Sequence, residues 1–327
     1  FKMSRANKKN VRTSDKTVLK SDVIGKFLTD FTYSEDWQGM RFVRLECPNK
    51  KVDGLDKALL EFKFLRFINL ENNNIGDVSL FQTFESLVHL NLNKNKIKNL
   101  NAFNGEEFFP NLKKLELADN SISELIPLTA PKLEYLDISN NSCGKFETWT
   151  GSPSIRIFKA MKTQIKSLSI LKEMPALEEA YLQDTGINAF NGYENLPALR
   201  ILNLRGTKIN KIEEELPELP AIEVINFRDT GFHTLENLKN IFQFTTLRDL
   251  NILQTHLEEH ASSFNMLMAE VLNLFHDLQR FCKVTVADQH KYEALYLAEY
   301  KWRKAEEERK RKEEEERLKA EAEGADS

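Results

Sequence analysis

Cysteine is scarce in this chain of 327 residues, with Cys47, Cys143 and Cys282 the three examples. They are scattered and odd in number, so they form neither a disulfide framework nor a zinc-binding spacing. That pattern favours a reducing compartment such as the cytosol, the nucleus or the ciliary matrix. Long apolar runs are lacking too: none approaches the roughly 18 residues that a membrane-spanning helix needs. Charge of one sign is not in excess, because 46 Lys and Arg against 50 Asp and Glu leave a net charge of −4. A strong global attraction to nucleic acid is not expected. No G-x-G-x-x-G, phosphate-binding loop or G-x-S-x-G motif occurs. No constellation meets the geometric demands of named catalytic roles, so neither an enzyme nor a bound cofactor or metal is expected. The N-terminus is basic and lacks the apolar core of a secretory signal, and its opening Phe1-Lys2-Met3 makes Met3 a candidate natural start. What is present includes 41% apolar residues, enough for a real core.

Those apolar residues recur. The pattern L-x-x-L-x-L-x-x-N/T-x-I opens at Leu65, Leu87, Leu112, Leu133, Ile155, Leu177, Leu199, Ile222 and Leu247, in steps of 22, 25, 21, 22, 22, 22, 23 and 25 residues. A degenerate copy precedes them, with Met40, Val43 and Leu45 at its apolar positions. Leu65-Arg66-Phe67-Ile68-Asn69-Leu70 ends in the alternation of a short strand with one buried face. Ile75, Val78, Phe81 and Phe84 then recur every three residues, which suits a helical or 3₁₀ return. One unit cannot bury its apolar side alone, and stacking buries it against neighbours. These are leucine-rich repeats. The expected fold is an α/β leucine-rich-repeat solenoid, a right-handed β-α superhelix with a parallel concave sheet roughly 45 Å long at ~4.8 Å per strand. At the ninth position Asn73, Asn95, Asn120 and Asn141 give way to Thr163, Thr185, Thr207, Thr230 and Thr255. An amide offers two donors and an acceptor where a hydroxyl offers one donor, so two differently bonded halves are expected.

The segments divide as follows. Residues 1–20 carry seven Lys or Arg against Asp15 alone and read as a basic extended arm. Residues 21–39 are expected as an N-terminal helical cap, started by Ser21 or Asp22 and presenting Val23, Ile24, Phe27, Leu28 and Phe31 on one face. The repeats occupy 40–257. A C-terminal helical cap is expected over 258–287, from the stripe Phe264, Leu267, Met268, Val271, Leu272, Phe275 and Leu278. Residues 288–327 read as a charged single helix and tail, with nine Lys or Arg and nine Glu between Lys301 and Glu323. Glu306–Lys310, Glu307–Arg311, Glu308–Lys312, Glu313–Arg317 and Glu315–Lys319 are spaced for support along it. No a/d apolar seam follows Trp302, so a self-pairing coiled coil is not expected.

Two features bear on chemistry. His256-Leu257-Glu258-Glu259-His260 matches H-x-x-E-H, a zinc-protease motif. It leaves the last repeat where no catalytic cavity is expected, and a metal reading is rejected. The other feature is the concave face, where strand alternation places the third and fifth positions of each repeat. Phe67, Tyr135, Ile157, Tyr181, Ile201 and Val224 are more apolar there than solvent alone would select, and read as a partner-binding surface with aromatic anchors. Arg205 and Arg228, at the seventh position of adjacent repeats, add a basic stripe beside it.

The strand entry Arg41-Phe42-Val43-Arg44-Leu45-Glu46, the short repeats, the helical C-cap and the Ala/Glu/Lys/Arg helix together resemble the leucine-rich-repeat protein of the third ciliary radial spoke. The resemblance implies a non-enzymatic scaffold of the motile-cilium axoneme. It would bridge radial spoke head subunits and bind neither nucleic acid nor membrane. Two features depart from it: Thr at the late ninth positions, and His276-Asp277-Leu278-Gln279-Arg280-Phe281-Cys282 where related C-caps carry Pro-x-Leu-x-x-Leu-Asp. A protein-phosphatase regulatory module, an axonemal dynein light chain, a nexin–dynein regulatory subunit and a nuclear acidic repeat factor are the competing readings.

Overall fold

The structure, a computed structural model, describes residues 17–33, 39–105 and 109–325. The basic arm expected over 1–20 therefore lies outside the described residues as far as residue 16. Beyond it, β1 (Val18–Leu19) leads into a single helical turn, α1 (Ser21–Ile24). The chain then turns back as β2 (Leu28–Tyr33) and β3 (Met40–Glu46), which pair antiparallel. This hairpin replaces the helix expected across 21–39, and Phe31 is exposed rather than buried on a helical face. The run Leu-Thr-Asp-Phe-Thr-Tyr is rich in β-branched and aromatic residues, which pack well on a pleated surface. The apolar spacing of so short a window fits either period. β4 (Gly54–Leu55) pairs with β1 in a separate two-stranded sheet.

Nine three-residue strands follow, one per repeat: β5 (Phe67–Asn69), β6 (His89–Asn91), β7 (Lys114–Glu116), β8 (Tyr135–Asp137), β9 (Ile157–Lys159), β10 (Glu179–Tyr181), β11 (Ile201–Asn203), β12 (Val224–Asn226) and β13 (Asp249–Asn251). They pair parallel in sequence order, third position against third position, continuing from β3. β14 (Arg280–Phe281) and β15 (Val284–Thr285) close the far edge, so 13 strands form the main sheet. The returns differ from repeat to repeat. Ser79–Thr83, Asn101–Phe103 and Leu168–Leu171 are 3₁₀ turns, and α2 (Leu235–Leu238) runs into another at Lys239–Gln243. Lys57–Phe62, ahead of β5, is 3₁₀ as well, and the remaining returns have no helical turn among the described residues. The first, fourth and sixth positions are buried in one continuous core.

The interior polar groups show how the coils are joined. Asn95 donates from Nδ2 to the carbonyls of Leu92 in its own coil and Leu70 in the coil before, and its Oδ1 accepts from the Ile75 N–H. Asn73, Asn120 and Asn141 make the equivalent bridges. Thr163, Thr185, Thr207, Thr230 and Thr255 each donate one bond, to the carbonyl three residues earlier in the same coil. The two halves are thus bonded differently, the ninth side chain bridging coils only in the first. The residue before each of these, from Asn72 through Gln254, has φ between 52° and 68°. Six of the nine are Asn, Asp or Gly, the types that tolerate the left-handed region.

Past the last repeat come α3 (His256–Glu259), α4 (Phe264–Leu274) and α5 (Asp288–Ala325). Ser263 caps α4 by accepting from the Met266 N–H, and Leu267, Met268, Val271 and Leu272 seal the core. Ala294 and Leu297 of α5 pack on the same core, and Lys301 pairs with Glu270. Glu306–Lys310 and Glu308–Lys312 form among the pairs expected along α5, and Glu307 pairs with Lys304.

The inter-coil bridges generate a direct comparison. Asn95→Ala leaves the Ile75 N–H unpaired inside and removes one of the two donors to each of the Leu70 and Leu92 carbonyls, which keep those from Asn73 and Asn120; it is expected to cost ~2–3 kcal/mol, against ~1 kcal/mol for Thr185→Ala. Urea midpoints of the two variants measure the difference, and equal losses would mean that the Asn bridges add nothing beyond a local bond.

Candidate functional site

The open face of the sheet is built from three-residue strands in exact cross-strand register, so its side chains stand in rows. The third-position row reads Phe67, His89, Lys114, Tyr135, Ile157, Glu179, Ile201, Val224, Asp249, all half-buried. Tyr135 and Ile157 are direct cross-strand neighbours, as are Ile201 and Val224, with Glu179 between the two apolar pairs. Tyr181 belongs to the fifth-position row, one strand from Lys159. Phe67 stands apart, three strands from Tyr135 with Lys114 and His89 between, and with the Arg44 guanidinium 4.5 Å from its ring centre. Arg205 is exposed, and Arg228 beside it is half-buried, donating from Nε to Gln254 at 2.7 Å.

The fifth row is largely engaged with its own backbone. Asn69, Asn91, Asp137, Asn203, Asn226 and Asn251 each accept the N–H two residues on. These Asx turns end the strands, and explain the abundance of Asn there without any partner.

Glu116, Lys159 and Tyr181 are the exceptions in that row, and Lys159 organises the centre of the face. Its Nζ lies 5.2 Å from the Tyr135 ring centre and 5.3 Å from that of Tyr181. Lys114 approaches Tyr135 from the other side at 4.9 Å. The Tyr181 hydroxyl donates to Glu179 at 2.8 Å. Burial, then the Glu179 bond, pushes the Tyr181 hydroxyl up to about 12; burial, with Asp137 nearby, raises Tyr135 as well. Both hydroxyls are therefore neutral, and both half-buried rings are held in direction by the lysines and carboxylates beside them. Next to them Glu116 accepts from Lys114 at 2.6 Å and contacts His89 Nε2 at 2.9 Å. Burial alone would raise that carboxyl, but the bonds from His89 and Lys114 outweigh it and hold it below its usual value.

One structural row was missed in the sequence. At the second position, on the strand entries, Lys113 pairs with Glu134 at 2.8 Å, Arg156 with Glu178 through two bonds, and Arg200 with Glu223 through two. Each pair is 21 to 23 residues apart, one repeat. Alternating sign at repeat spacing was the signal available. In the H-x-x-E-H segment the His233, His256 and His260 rings stack nearly parallel, with centres 4.5 and 5.9 Å apart, so their faces rather than their nitrogens meet. The three cysteines are buried and unpaired, and burial pushes the Cys47 and Cys143 thiols up to about 11. Among the described residues no helix is long and apolar enough to cross a membrane.

Register, buried leucine positions and the interior Asn and Thr residues define the class: the chain is a leucine-rich-repeat protein with the solenoid fold. A family model of leucine-rich repeats in two copies matches residues 110–151. Toll-like receptor 2 type-1 of Gallus gallus is 23% identical over 220 residues, covering 62% of this chain and 27% of the receptor. Acidic leucine-rich nuclear phosphoprotein 32 family member A of Drosophila pseudoobscura pseudoobscura is 37% identical over 100 residues, 29% of this chain and 36% of that protein. The chain spans little more than a third of these relatives' length at most. Among solved structures, a leucine-rich-repeat protein of Leptospira interrogans aligns with a TM-score of 0.59 at 20% identity, covering 70% of this chain and 58% of that one. A chain of the LRIM1/APL1C complex aligns at 0.54 and 19% identity, covering 65% and 39%.

Two measurements test the electrostatics. Glu116, held low in the folded chain, adds stability that is present above the unfolded carboxyl value of about 4.3 and is lost as pH falls through the lower folded value. Glu116→Gln is expected to flatten that part of the acid-denaturation curve; an unchanged curve would refute the assignment. Arg156→Ala with Arg200→Ala is expected to lower the urea midpoint in dilute buffer and to match the parent in ~1 M salt, where exposed pairs are screened.

Proposed function

We propose that the chain is a non-enzymatic scaffold that holds another protein on the open face of its sheet, centred on Tyr135, Ile157 and Tyr181 and continued by Ile201 and Val224, with Arg205 and Arg228 as its basic margin. The observation that carries this is Lys159 lodged between two tyrosine rings. A ring already fixed in one orientation loses little freedom on binding, which is how rigid aromatic anchors contribute affinity. Cation–π contacts at such exposure are worth ~0.5–1 kcal/mol each, enough to hold the rings but not to explain their presence. The fold is one that serves protein–protein interaction, as the LRIM1/APL1C complex illustrates for a structural neighbour.

We further infer the motile-cilium axoneme as the setting, with radial spoke proteins as partners. The support is the order of strand entry, short repeats, C-cap and charged helix. The phosphatase-regulatory and other axonemal readings use the same face and differ in what it holds.

Replacing Tyr135 and Tyr181 together by Ala is expected to weaken partner capture at least tenfold while the urea midpoint changes little. Loss of folding would make the rings structural. Proximity labelling from the tagged chain in ciliated cells is expected to mark axonemal proteins; nuclear labelling would overturn the ciliary setting, and a dominant phosphatase catalytic subunit would replace it.

A further inference from the structure

The first turns of α5 carry more apolar surface than the C-cap covers. Ala294 and Leu297 face the core, yet Tyr292, Leu295, Tyr296, Tyr300 and Trp302 are 72, 61, 73, 51 and 67% exposed. Aromatic side chains of this size bury 150–250 Å² each when covered, so the three tyrosines leave on the order of 400 Å² uncovered along one side of the helix. That equals the usual largest patch on a monomer and is about half the ~800 Å² per partner of a stable interface. Between α4 and α5 lies an apolar groove of about 590 Å³, bordered by Met266, Ala269, Tyr292, Tyr296, Leu297 and Tyr300. Tyr292 and Tyr296 have no hydrogen bond or ring contact among the described residues.

The spacing identifies the occupant. Asp288, Tyr292, Tyr296, Tyr300 and Lys304 follow one another at intervals of four, a ridge of acid, three aromatics and base about 24 Å long at 1.5 Å per residue. Reversed end to end, the ridge is complementary to itself. With Tyr296 on a two-fold axis, Tyr292 meets Tyr300 of a second copy, Tyr300 meets its Tyr292, and each Asp288 meets a Lys304. Ridges of i±4 spacing interdigitate at a crossing angle near −50°, the commonest helix packing. Two-fold association requires one patch to fit its own copy, and this one does in both charge and shape.

We propose that the chain forms an antiparallel two-fold dimer through the Asp288–Lys304 ridge of α5, each copy's aromatic side chains filling the other's α4–α5 groove. This is ridge packing over four turns, with no heptad seam. It leaves both open faces of the dimer free, and it does not rest on the reading of that face given above.

The test uses the full chain. Sedimentation is expected to show a concentration-dependent dimer at tens of micromolar, and Tyr296→Glu a monomer with unchanged circular dichroism. Asp288→Lys alone and Lys304→Asp alone each put like charges together twice per dimer, and are expected to weaken association about tenfold; the double exchange restores it. Tyr296→Cys, on the axis, is expected to oxidise to a covalent dimer much faster than Lys310→Cys, the native thiols being buried. The proposal is overturned by a wild-type chain that stays monomeric to ~100 µM, by a double exchange no better than the single ones, or by equal oxidation rates at the two positions. The first of these would assign the ridge to another protein.

Discussion

A solenoid coil turns polar backbone inward at every repeat, and water does not reach it. Pairing those buried groups between successive coils is the constraint on which this molecule depends. The backbone meets part of it: the amide before each ninth position, from Asn72 to Asp229, donates to the next coil, as from Lys94 to the Ala118 carbonyl and from Lys162 to that of Gln183, while the last, Gln254, donates to Glu258. A left-handed residue at that point turns the ninth side chain inward. In the first half that side chain is Asn, which reaches across to the neighbouring coil with both donor and acceptor. In the second it is Thr, which closes only its own turn. The first half is therefore cross-linked by its ninth side chains, and the second does without that bridge.

That pairing fixes the face. Because coils stack in register, third-position side chains form a row whatever their identity, and the row becomes a surface whose chemistry is free to vary. Asx turns consume the fifth row, so recognition is left to the third row and to the few fifth-row residues that are not Asn or Asp. Lys159 and Tyr181 are the central ones. Charge at the strand entries runs in matched pairs from Lys113 to Glu223, neutralising one margin and leaving Arg205 and Arg228 to mark the other.

The ends solve a different problem. A stack of strands exposes an unpaired edge at each terminus. At one end an antiparallel hairpin covers it; at the other, two short strands and α4 do. The long helix α5 is held against α4 by a few small and apolar side chains and by Lys301 with Glu270. It carries its aromatic residues away from the core, the arrangement of a middle layer awaiting an outer one.

The repeat, its boundaries and the polarity of each position were legible in the sequence because spacing near 22 residues dictates one strand per coil, and buried leucine positions leave no other packing. The split at Thr163 was legible because donor counts of Asn and Thr differ. Tertiary structure alone decided the rest. Residues 28–33 became a strand because β3 was there to pair with them, whereas local periodicity equally allowed a helix. Lys159 became a clamp because stacking put it between rings 24 and 22 residues distant in the chain. That Tyr292, Tyr296 and Tyr300 lie uncovered while Ala294 and Leu297 of the same helix are packed depends on where α5 meets α4, a placement that no local pattern encodes.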